Sequence, residues 1–266
     1  MKISTVVIIS IILIYLLIVS YMFFNQRKLL YLPSENNYLD DQINFQYKEI
    51  FIQVEEELSL KSWLIEKNLK KNKTLIFFHG NAGNLSNRVY KLNALNKLNI
   101  NILIISWRSF SGNLGEPTEQ NIYADGQKAI NWLNSMGVKN EDIFLYGESL
   151  GTGVAIELGQ KNSFNGIILE SPYTSMENVA KNYYPWLPIR LLLKDKYKSE
   201  EKIKNIKIPI LIMHGKKDTI VPFYMGEELF KLANKPKYSY FMDDDDHMMS
   251  FNVDLLNKIK NFIEKY

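Results

Sequence analysis

The sequence predicts an α/β fold in which helices flank a mostly parallel central sheet, with a cap insertion and an N-terminal transmembrane helix. Two observations predict the sheet: short apolar runs recur along the chain, and segments with helical spacing separate them. Such runs are typical of strands buried on both faces, and their alternation with helices is typical of parallel pairing. A third observation, a long apolar segment before residue 25, predicts the membrane helix.

Residues 1–26 are interpreted as an N-terminal transmembrane anchor. Ile3 to Phe24 are 22 consecutive uncharged residues. As a helix they would extend roughly 33 Å, about the thickness of a hydrocarbon core. A cleaved secretory signal is the alternative, but its apolar region usually has about 7–15 residues followed by small residues, and no alanine occurs before Ala82. Positive residues flank both ends, so the side of the membrane that carries the rest of the chain stays open.

The remaining chain is predicted to form a connector, residues 27–46, and one folded domain, residues 47–266. Residues that break regular structure are frequent in the connector: Pro33, Ser34, Asn36, Asn37, Asp40 and Asp41. Apolar runs then predict strands at 47–54, 58–65, 75–78, 102–105, 143–146, 167–169, 210–213 and 238–242. Helical spacing predicts helices at 86–98, 123–136 and 251–263, and two more that begin near residues 150 and 222.

Residues 171–207 interrupt this alternation and are interpreted as a cap over the site, because long excursions in a compact domain are usually functional. Aromatic and aliphatic residues dominate the cap between positions 183 and 193. We expect this part of the cap to pack on the sheet. Lining an acyl pocket and lying against a bilayer are the alternatives.

Composition excludes several classes of protein. The chain has 32 basic and 29 acidic residues and a net charge of +3, which argues against a nucleic-acid partner because such proteins carry a basic stripe. It has no cysteine, which excludes disulfides, thiolate metal sites and a cysteine nucleophile. The three histidines are far apart in the sequence, so no metal or other cofactor is expected.

The central chemical signal is the segment Gly147-Glu148-Ser149-Leu150-Gly151, between an apolar strand and a predicted helix. A nucleophilic serine must project from a sharp turn, and the two glycines remove side chains that would clash where the strand meets the helix. The start of a helix also favours negative charge. A plain glycine–serine turn is the alternative, but the position between strand and helix favours Ser149 as the nucleophile.

A serine hydroxyl needs a general base, and the order along the chain favours His247. His79 and His214 end apolar strands, whereas His247 lies between the last strand and the last helix. Folds with this strand–serine–helix turn place their catalytic residues in the chain order serine, acid, histidine. The favoured acid is Asp218, in the turn after His214, and its rival is Glu170, at the end of the preceding strand.

Acyl transfer at Ser149 also requires an oxyanion hole, in which two backbone N–H groups face the developing negative charge. One donor is expected from Leu150, the residue after the nucleophile. The other is expected from the loop that follows the apolar strand 75–78, where Asn81 comes directly after His-Gly. A plain turn at the end of the strand is the alternative for this loop.

Over roughly residues 27–250 these motifs resemble the Bem46-like branch of the α/β-hydrolase family. The resemblance implies an α/β-hydrolase fold and assigns Ser149 as nucleophile, Asp218 as acid and His247 as base. It also implies that one N-terminal apolar segment tethers the chain. It leaves the identity of the substrate open, because relatives range from protein-lipid thioesterases to members of unknown activity. The matching segments are HGNAGN at 79–84, GESLG at 147–151, ESPYTSM at 170–176, HGKKDTIVP at 214–222, Arg108 and Gly115-Glu116-Pro117-Thr118.

Two segments depart from the family pattern. The loop at 107–110 reads Trp-Arg-Ser-Phe in place of a sequence like Asp-Tyr-Arg-Gly, and four aspartates at 243–246 precede His247 where small, glycine-rich residues are usual. The aspartates bring up to four negative charges close to the proposed base. The alternative is that they point into solvent or cap the helix that starts near Ser250. We expect the altered loop to affect turnover more than the fold.

The sequence therefore predicts a serine hydrolase that cleaves carboxylic ester or thioester bonds through an acyl-enzyme intermediate. The expected substrate is a small-molecule or lipid-like acyl compound, and the expected location is a membrane, reached through the single N-terminal helix. Two alternatives stay open. One is a serine peptidase that uses the same three residues, and the other is a non-catalytic, membrane-tethered interaction module.

Overall fold

A computed structural model describes residues 3–34 and 42–266 of the protein. Within those residues the strands, in chain order, are β1 (Leu32–Pro33), β2 (Lys48–Glu55), β3 (Leu58–Ile65), β4 (Thr74–Phe78), β5 (Ala82–Gly83), β6 (Asn101–Ile105), β7 (Ile143–Glu148), β8 (Gly166–Glu170), β9 (Ile210–Gly215) and β10 (Lys237–Met242). Strands β2–β4 and β6–β10 form one sheet in the order β10-β9-β8-β7-β4-β6-β3-β2, and β1 pairs separately with β5.

Parallel pairing dominates the main sheet, since β6, β4, β7, β8, β9 and β10 pair in parallel and β3 is antiparallel to both β2 and β6. The register sets Phe78 beside Gly147, and Glu148 beside Glu170. The carboxyl ends of β4, β7 and β8 therefore meet at one edge. The predicted α/β fold with its mostly parallel sheet is confirmed, and each predicted strand lies within two residues of the observed bounds.

Helices cover both faces of this sheet. In the described residues the α-helices are α1 (Ile3–Leu30), α2 (Val89–Leu95), α3 (Glu119–Ser135), α4 (Leu150–Gly159), α5 (Met176–Tyr183), α6 (Ile189–Leu192), α7 (Ser199–Lys202), α8 (Phe223–Leu232) and α9 (Val253–Lys265). Apolar residues of α2 and α9 pack on one face of the sheet, and those of α3, α4 and α8 pack on the other.

Helices α2 and α3 differ from their predicted bounds by more than two residues. A 3₁₀ turn at Leu85–Arg88 takes the place of the first turn of the helix predicted at 86–98. Helix α3 starts four residues before the predicted position because Thr118 caps it: the Thr118 hydroxyl accepts a hydrogen bond of 3.1 Å from the Asn121 N–H. A side-chain oxygen at this position satisfies a backbone donor that the helix itself leaves unpaired.

Helix α1 extends beyond the predicted anchor and into the predicted connector. It ends at Leu30, and β1 follows directly, where the Leu32 N–H donates to the Asn81 carbonyl at 2.8 Å. Pro33, predicted as a break, lies in β1. The other predicted features of this region lie outside the described residues: Lys2, Asn36, Asn37, Asp40 and Asp41.

Partners in the cap explain why the polar end of α1 stays helical. The Gln26 amide accepts from the Lys194 N–H at 2.7 Å and donates to the Leu192 carbonyl at 3.1 Å. Arg27 donates to the buried Asp195 carboxylate at 3.0 Å. These contacts join α1 to the segment that contains α5, α6 and α7, the segment interpreted as a cap.

A buried ionic network lies behind the turn that contains Ser149. Lys91, fully buried on α2, donates to Glu148 at 2.7 Å and to Glu170 at 2.5 Å, and Arg88 donates to Glu148 at 2.6 Å. Burial alone would lower the pKa of Lys91, but the two carboxylates outweigh it and raise that pKa. Burial would likewise raise the pKa of Glu148, but Arg88 and Lys91 hold it below its ordinary value.

His79, at the end of β4, is buried in its neutral form. Its Nδ1–H donates to the Gly80 carbonyl at 2.7 Å, and its Nε2 accepts from the Trp107 N–H at 3.3 Å. Burial, reinforced by the positive charge of Arg88, lowers the pKa of His79 to about 3. A protonated ring would lose the contact with Trp107, because Nε2 would no longer accept.

We predict that Lys91→Met lowers the free energy of unfolding by about 3–5 kcal/mol, because Glu170 is then left buried without a cation. Lys73→Met is the matched control. Its partner Asp142 lies at 3.2 Å in an exposed pair, so its loss should cost at most about 1 kcal/mol. Urea unfolding of both variants measures the difference, and equal losses would contradict a structural role for the network.

A second prediction concerns acid stability. The folded-state pKa of His79, about 3, is below its ordinary value of 6.5, so the unfolded chain takes up a proton first as the pH falls. The stability from this residue is present above pH 6.5 and is lost as the pH falls toward 3, with a slope of up to about 1.4 kcal/mol per pH unit. The His79→Asn variant should lack this slope.

Urea unfolding between pH 6 and pH 4 measures this slope as the difference between the natural protein and the variant. Phe110→Leu is the control, because Phe110 packs against the His79 ring at 5.2 Å between centroids and does not titrate. It should reduce stability by a similar amount at every pH. If the free energy of unfolding changes with pH in the same way in the natural protein and in His79→Asn, His79 is not the source of the slope.

Candidate active site

Ser149 occupies the sharp turn between β7 and α4. Its φ of 50° and ψ of −115° lie in a region that residues other than glycine rarely adopt. Two glycines allow the turn, since a Cβ on Gly147 would lie 2.5 Å from the Thr152 Cα and one on Gly151 would overlap the Phe78 carbonyl oxygen. The hydroxyl therefore projects at the carboxyl end of the sheet, from the residue that directly precedes α4.

The structure brings Ser149, His247 and Asp218 together. Nε2 of His247 lies 2.9 Å from Oγ of Ser149, and Nδ1 of His247 lies 2.8 Å from Oδ2 of Asp218. Both are hydrogen-bond distances. With Asp218 ionised, Nδ1 carries the proton and Nε2 is free to accept from the serine hydroxyl.

Asp218 is held as a carboxylate by donors on both of its oxygens. Oδ1 accepts from the N–H groups of Ile220 and Val221, each at 2.8 Å, and Oδ2 accepts from His247 and His214. Burial would raise the pKa of Asp218, but donation from His214 and His247 outweighs it and lowers that pKa below its ordinary range. The negative charge therefore persists next to His247 at neutral pH.

His214 is a member of the site that sequence reasoning missed. Its Nε2 lies 3.0 Å from Oδ2 of Asp218 and 2.9 Å from the Val221 carbonyl, so Nε2–H is shared between two acceptors. Its Nδ1 has no hydrogen-bond partner in the described part of the chain. The sequence feature that could have indicated this role is the position of His214 at the end of a strand, four residues before Asp218. Two of the three histidines thus meet at one carboxylate, although the sequence separates them.

Glu170, the rival acid, has other partners. Its carboxylate accepts from Lys91 and from the Tyr146 hydroxyl, each at 2.5 Å. The next residue, Ser171, supports the base instead, because its hydroxyl donates to the His247 carbonyl at 2.8 Å. The geometry therefore favours Asp218 over Glu170 as the residue that orients His247.

The aspartates before His247 bind partly to the loop that follows β9 and partly within their own loop. Asp243 pairs with Lys216 at 2.6 Å and Asp244 pairs with Lys217 at 2.7 Å. Asp245 accepts from the Ser250 N–H at 2.8 Å, and Asp246 accepts from the Met248 N–H at 3.0 Å. Asp245 therefore secures the loop near Ser250, while α9 itself is capped by Asn252.

Of the two expected oxyanion donors, Leu150 follows Ser149 directly in the chain, and Asn81 lines the same cavity as Ser149. Neither the Asn81 N–H nor the Leu150 N–H donates a hydrogen bond to a residue in the ranges that the structure describes. The loop after β4 is fixed to the strand of the nucleophile, because the Gly80 N–H donates to Glu148 at 3.2 Å. Asn81 is further held by its side chain, which donates to the Leu30 carbonyl at the end of α1 at 2.7 Å.

A cavity of about 310 Å³ extends from Ser149 between α1 and the cap. This volume lies near the lower end of the range for small-molecule sites, roughly 300–1,000 Å³. In the described residues its lining contains no charged side chain: Met22, Phe23, Gln26, Leu29, Leu30, Asn81, Ser149, Leu150, Tyr173, Met176, Val179, Ala180, Tyr183, Tyr184, Leu187, Ile189, Leu192, Leu193, Ile220 and Val221. Apolar residues of the cap thus line a pocket and do not only pack on the sheet.

Comparison with known proteins identifies the family. A family model described as the prolyl oligopeptidase family matches residues 108–266. An uncharacterized protein of Mycobacterium tuberculosis is 32% identical over 83% of this chain and 79% of its own length. Protein bem46 of Schizosaccharomyces pombe is 30% identical over 77% of this chain and 72% of its own length.

Among solved structures, an esterase of Pyrococcus furiosus has the same fold. Its TM-score is 0.72 at 20% sequence identity, over 89% of this chain and 98% of that chain. The fold, the family model and the relatives agree on one assignment. The chain belongs to the prolyl oligopeptidase family of α/β-hydrolases, and within it to the Bem46-like branch.

Proposed function

We propose that this hydrolase cleaves carboxylic ester or thioester bonds through an acyl-enzyme, with Ser149 as nucleophile, His247 as general base and Asp218 as orienting acid. The observation that carries the proposal is the hydrogen-bonded series from Ser149 through His247 to Asp218, at the inner end of an apolar cavity. A serine becomes an effective nucleophile when a base within hydrogen-bond reach accepts its proton.

In the first half of the reaction, Oγ of Ser149 bonds to the carbonyl carbon while its proton passes to Nε2 of His247. The carbonyl oxygen becomes an oxyanion that the N–H groups of Leu150 and Asn81 stabilise. His247 then returns the proton to the departing alkoxide or thiolate as the carbon–leaving-group bond breaks. In the second half, water attacks the acyl-enzyme with the same base and releases the acid and free Ser149.

The lining of the cavity favours an acyl substrate over a peptide. Apolar walls gain free energy by removing hydrocarbon from water, whereas a peptide brings backbone N–H and carbonyl groups that require polar partners. A serine peptidase with the same three residues is therefore the second candidate, favoured by the family match alone.

We also propose that α1 anchors the chain in a membrane. The most apolar 18-residue window of its span Ser4–Leu30 has a mean hydropathy of 2.9, and none of that window is buried by the protein. A signal peptide would be removed from the mature protein. Gln26 and Arg27 of α1 instead make hydrogen bonds with the cap. These contacts favour a helix that is retained.

We predict that Ser149→Ala abolishes labelling by a fluorophosphonate probe without loss of folding, because the probe forms its bond with the activated hydroxyl. Ser163→Ala, at an exposed position, is the matched control and should be labelled like the natural protein. Labelling that survives in Ser149→Ala would refute this nucleophile. Absence of labelling in the natural protein would support a non-catalytic module.

A further prediction concerns the acid. Asp218→Asn should lower kcat by about 10⁴-fold on a p-nitrophenyl ester, because an amide no longer fixes the His247 tautomer or stabilises its imidazolium. Glu170→Gln should lower it far less, since Glu170 contacts Lys91 and Tyr146. The reverse ranking would transfer the role to Glu170. Acyl thioesters and short peptide amides, tested with the natural protein, separate an acyl hydrolase from a peptidase.

A further inference from the structure

Helix α1 forms one wall of the cavity as well as the proposed anchor. Met22, Phe23 and Leu29 line the cavity from α1, and Leu187 and Ile189 line it from the cap. Ser149 lines the same cavity. Any substrate that occupies this space therefore lies between the cap and the helix that would carry the chain into a membrane.

The cap also contacts α1 far from its charged end. Trp186 packs edge-on against Tyr15, with 6.2 Å between ring centroids, and the Tyr15 hydroxyl donates to the Trp186 carbonyl at 3.2 Å. Twelve residues separate Tyr15 from Arg27, a distance of about 18 Å along a helix. A leaflet contributes about half of a 30 Å hydrocarbon core. With Arg27 at the edge of that core and α1 along the bilayer normal, the contact between Tyr15 and Trp186 lies inside it, at about the middle of the bilayer.

The surface of the cap at this point has the composition of a membrane-inserted segment. We call residues 183–193 the cap tip; Arg190 is its one charged residue. Leu191 is 85% exposed and Trp186 is 51% exposed. A soluble protein rarely leaves such a patch in water, and a long arginine side chain can reach toward the interface from within the leaflet.

We propose that the cap tip is immersed in the same leaflet as the adjoining half of α1. The partner of this surface is the hydrocarbon of a lipid bilayer, because the patch continues onto α1, which is itself apolar and unburied. The cavity between α1 and the cap tip then opens within the leaflet. The acyl chain of a bilayer-resident amphiphile enters it from the hydrocarbon and places its carbonyl at Ser149, a step that rests on the proposed acyl hydrolysis.

The absence of cysteine allows a direct test of depth in the full-length protein. Leu191→Cys, labelled with the fluorophore NBD, is placed in phosphatidylcholine vesicles that contain a lipid with a nitroxide on its acyl chain. Leu13→Cys in α1 is the reference for a buried label, and Phe51→Cys, exposed on the edge strand β2, is the reference for a label in water.

The expected result is strong lipid quenching of the labels at 13 and 191 and little quenching at 51, with the reverse order for quenching by aqueous iodide. If the lipid nitroxide quenches the label at 13 while the label at 191 behaves like the label at 51, the proposal that the cap tip is immersed in the bilayer is overturned. This readout needs no hydrolysis, so it stands apart from the outcome of the Ser149→Ala test.

Entry from the leaflet is tested by activity. Leu191→Glu should reduce hydrolysis of a long-chain ester in phosphatidylcholine vesicles at least tenfold relative to hydrolysis of a soluble short-chain p-nitrophenyl ester. Phe51→Glu should leave this ratio as in the natural protein. An unchanged ratio in Leu191→Glu overturns entry from the leaflet. If the natural protein hydrolyses neither ester, the proposed function fails, and the fluorescence result still decides the immersion of the cap tip.

Discussion

The close approach of α4 to β4 is the constraint on which the site depends. Gly151 lies against the carbonyl oxygen of Phe78, at a distance that no side chain permits. This contact sets the turn at Ser149 beside the loop that follows β4, where a Cβ on Gly80 would lie 3.4 Å from the Ser149 Cβ, and Asn81 of the same loop lines the cavity at Ser149. The parallel order of β7, β8, β9 and β10 then delivers the loops that carry the acid and the base to the same edge of the sheet.

Much of this arrangement could be predicted because its signals are local. The segment 147–151 contains Ser149, the proposed nucleophile, and both glycines that its turn requires, so five residues specify the turn without reference to the rest of the chain. Strands covered on both faces are continuous apolar runs, which is why their bounds were close to those observed. The order after Ser149 was enough to choose His247, whereas Asp218 was preferred to Glu170 for its place in the turn after a strand, and the structure brings His247 and Asp218 to Ser149.

The contacts that could not be predicted join elements that are distant in the chain. A lysine in an amphipathic helix usually faces solvent, but Lys91 is buried because Glu148 and Glu170 end two adjacent strands beneath it. The role of His214 depends on a loop that folds back over its ring. The polar residues at 25–28 suggested the end of a helix, but Arg27 has its partner 168 residues further along, in the cap. Periodicity cannot reveal a buried partner from another element.

The attachment of α1 distinguishes this protein from a hydrolase on a flexible tether. A flexible linker would let the catalytic domain sample many heights and orientations above a bilayer. Here Gln26 and Arg27 fix α1 to the cap, and the Asn81 side chain donates to the Leu30 carbonyl at its end. The helix, the cap and the loop with the expected oxyanion donor are therefore one mechanical unit. With α1 in a bilayer as proposed, its tilt and depth set the position of the cavity relative to the lipid, because α1 lines that cavity together with Asn81 and Ser149.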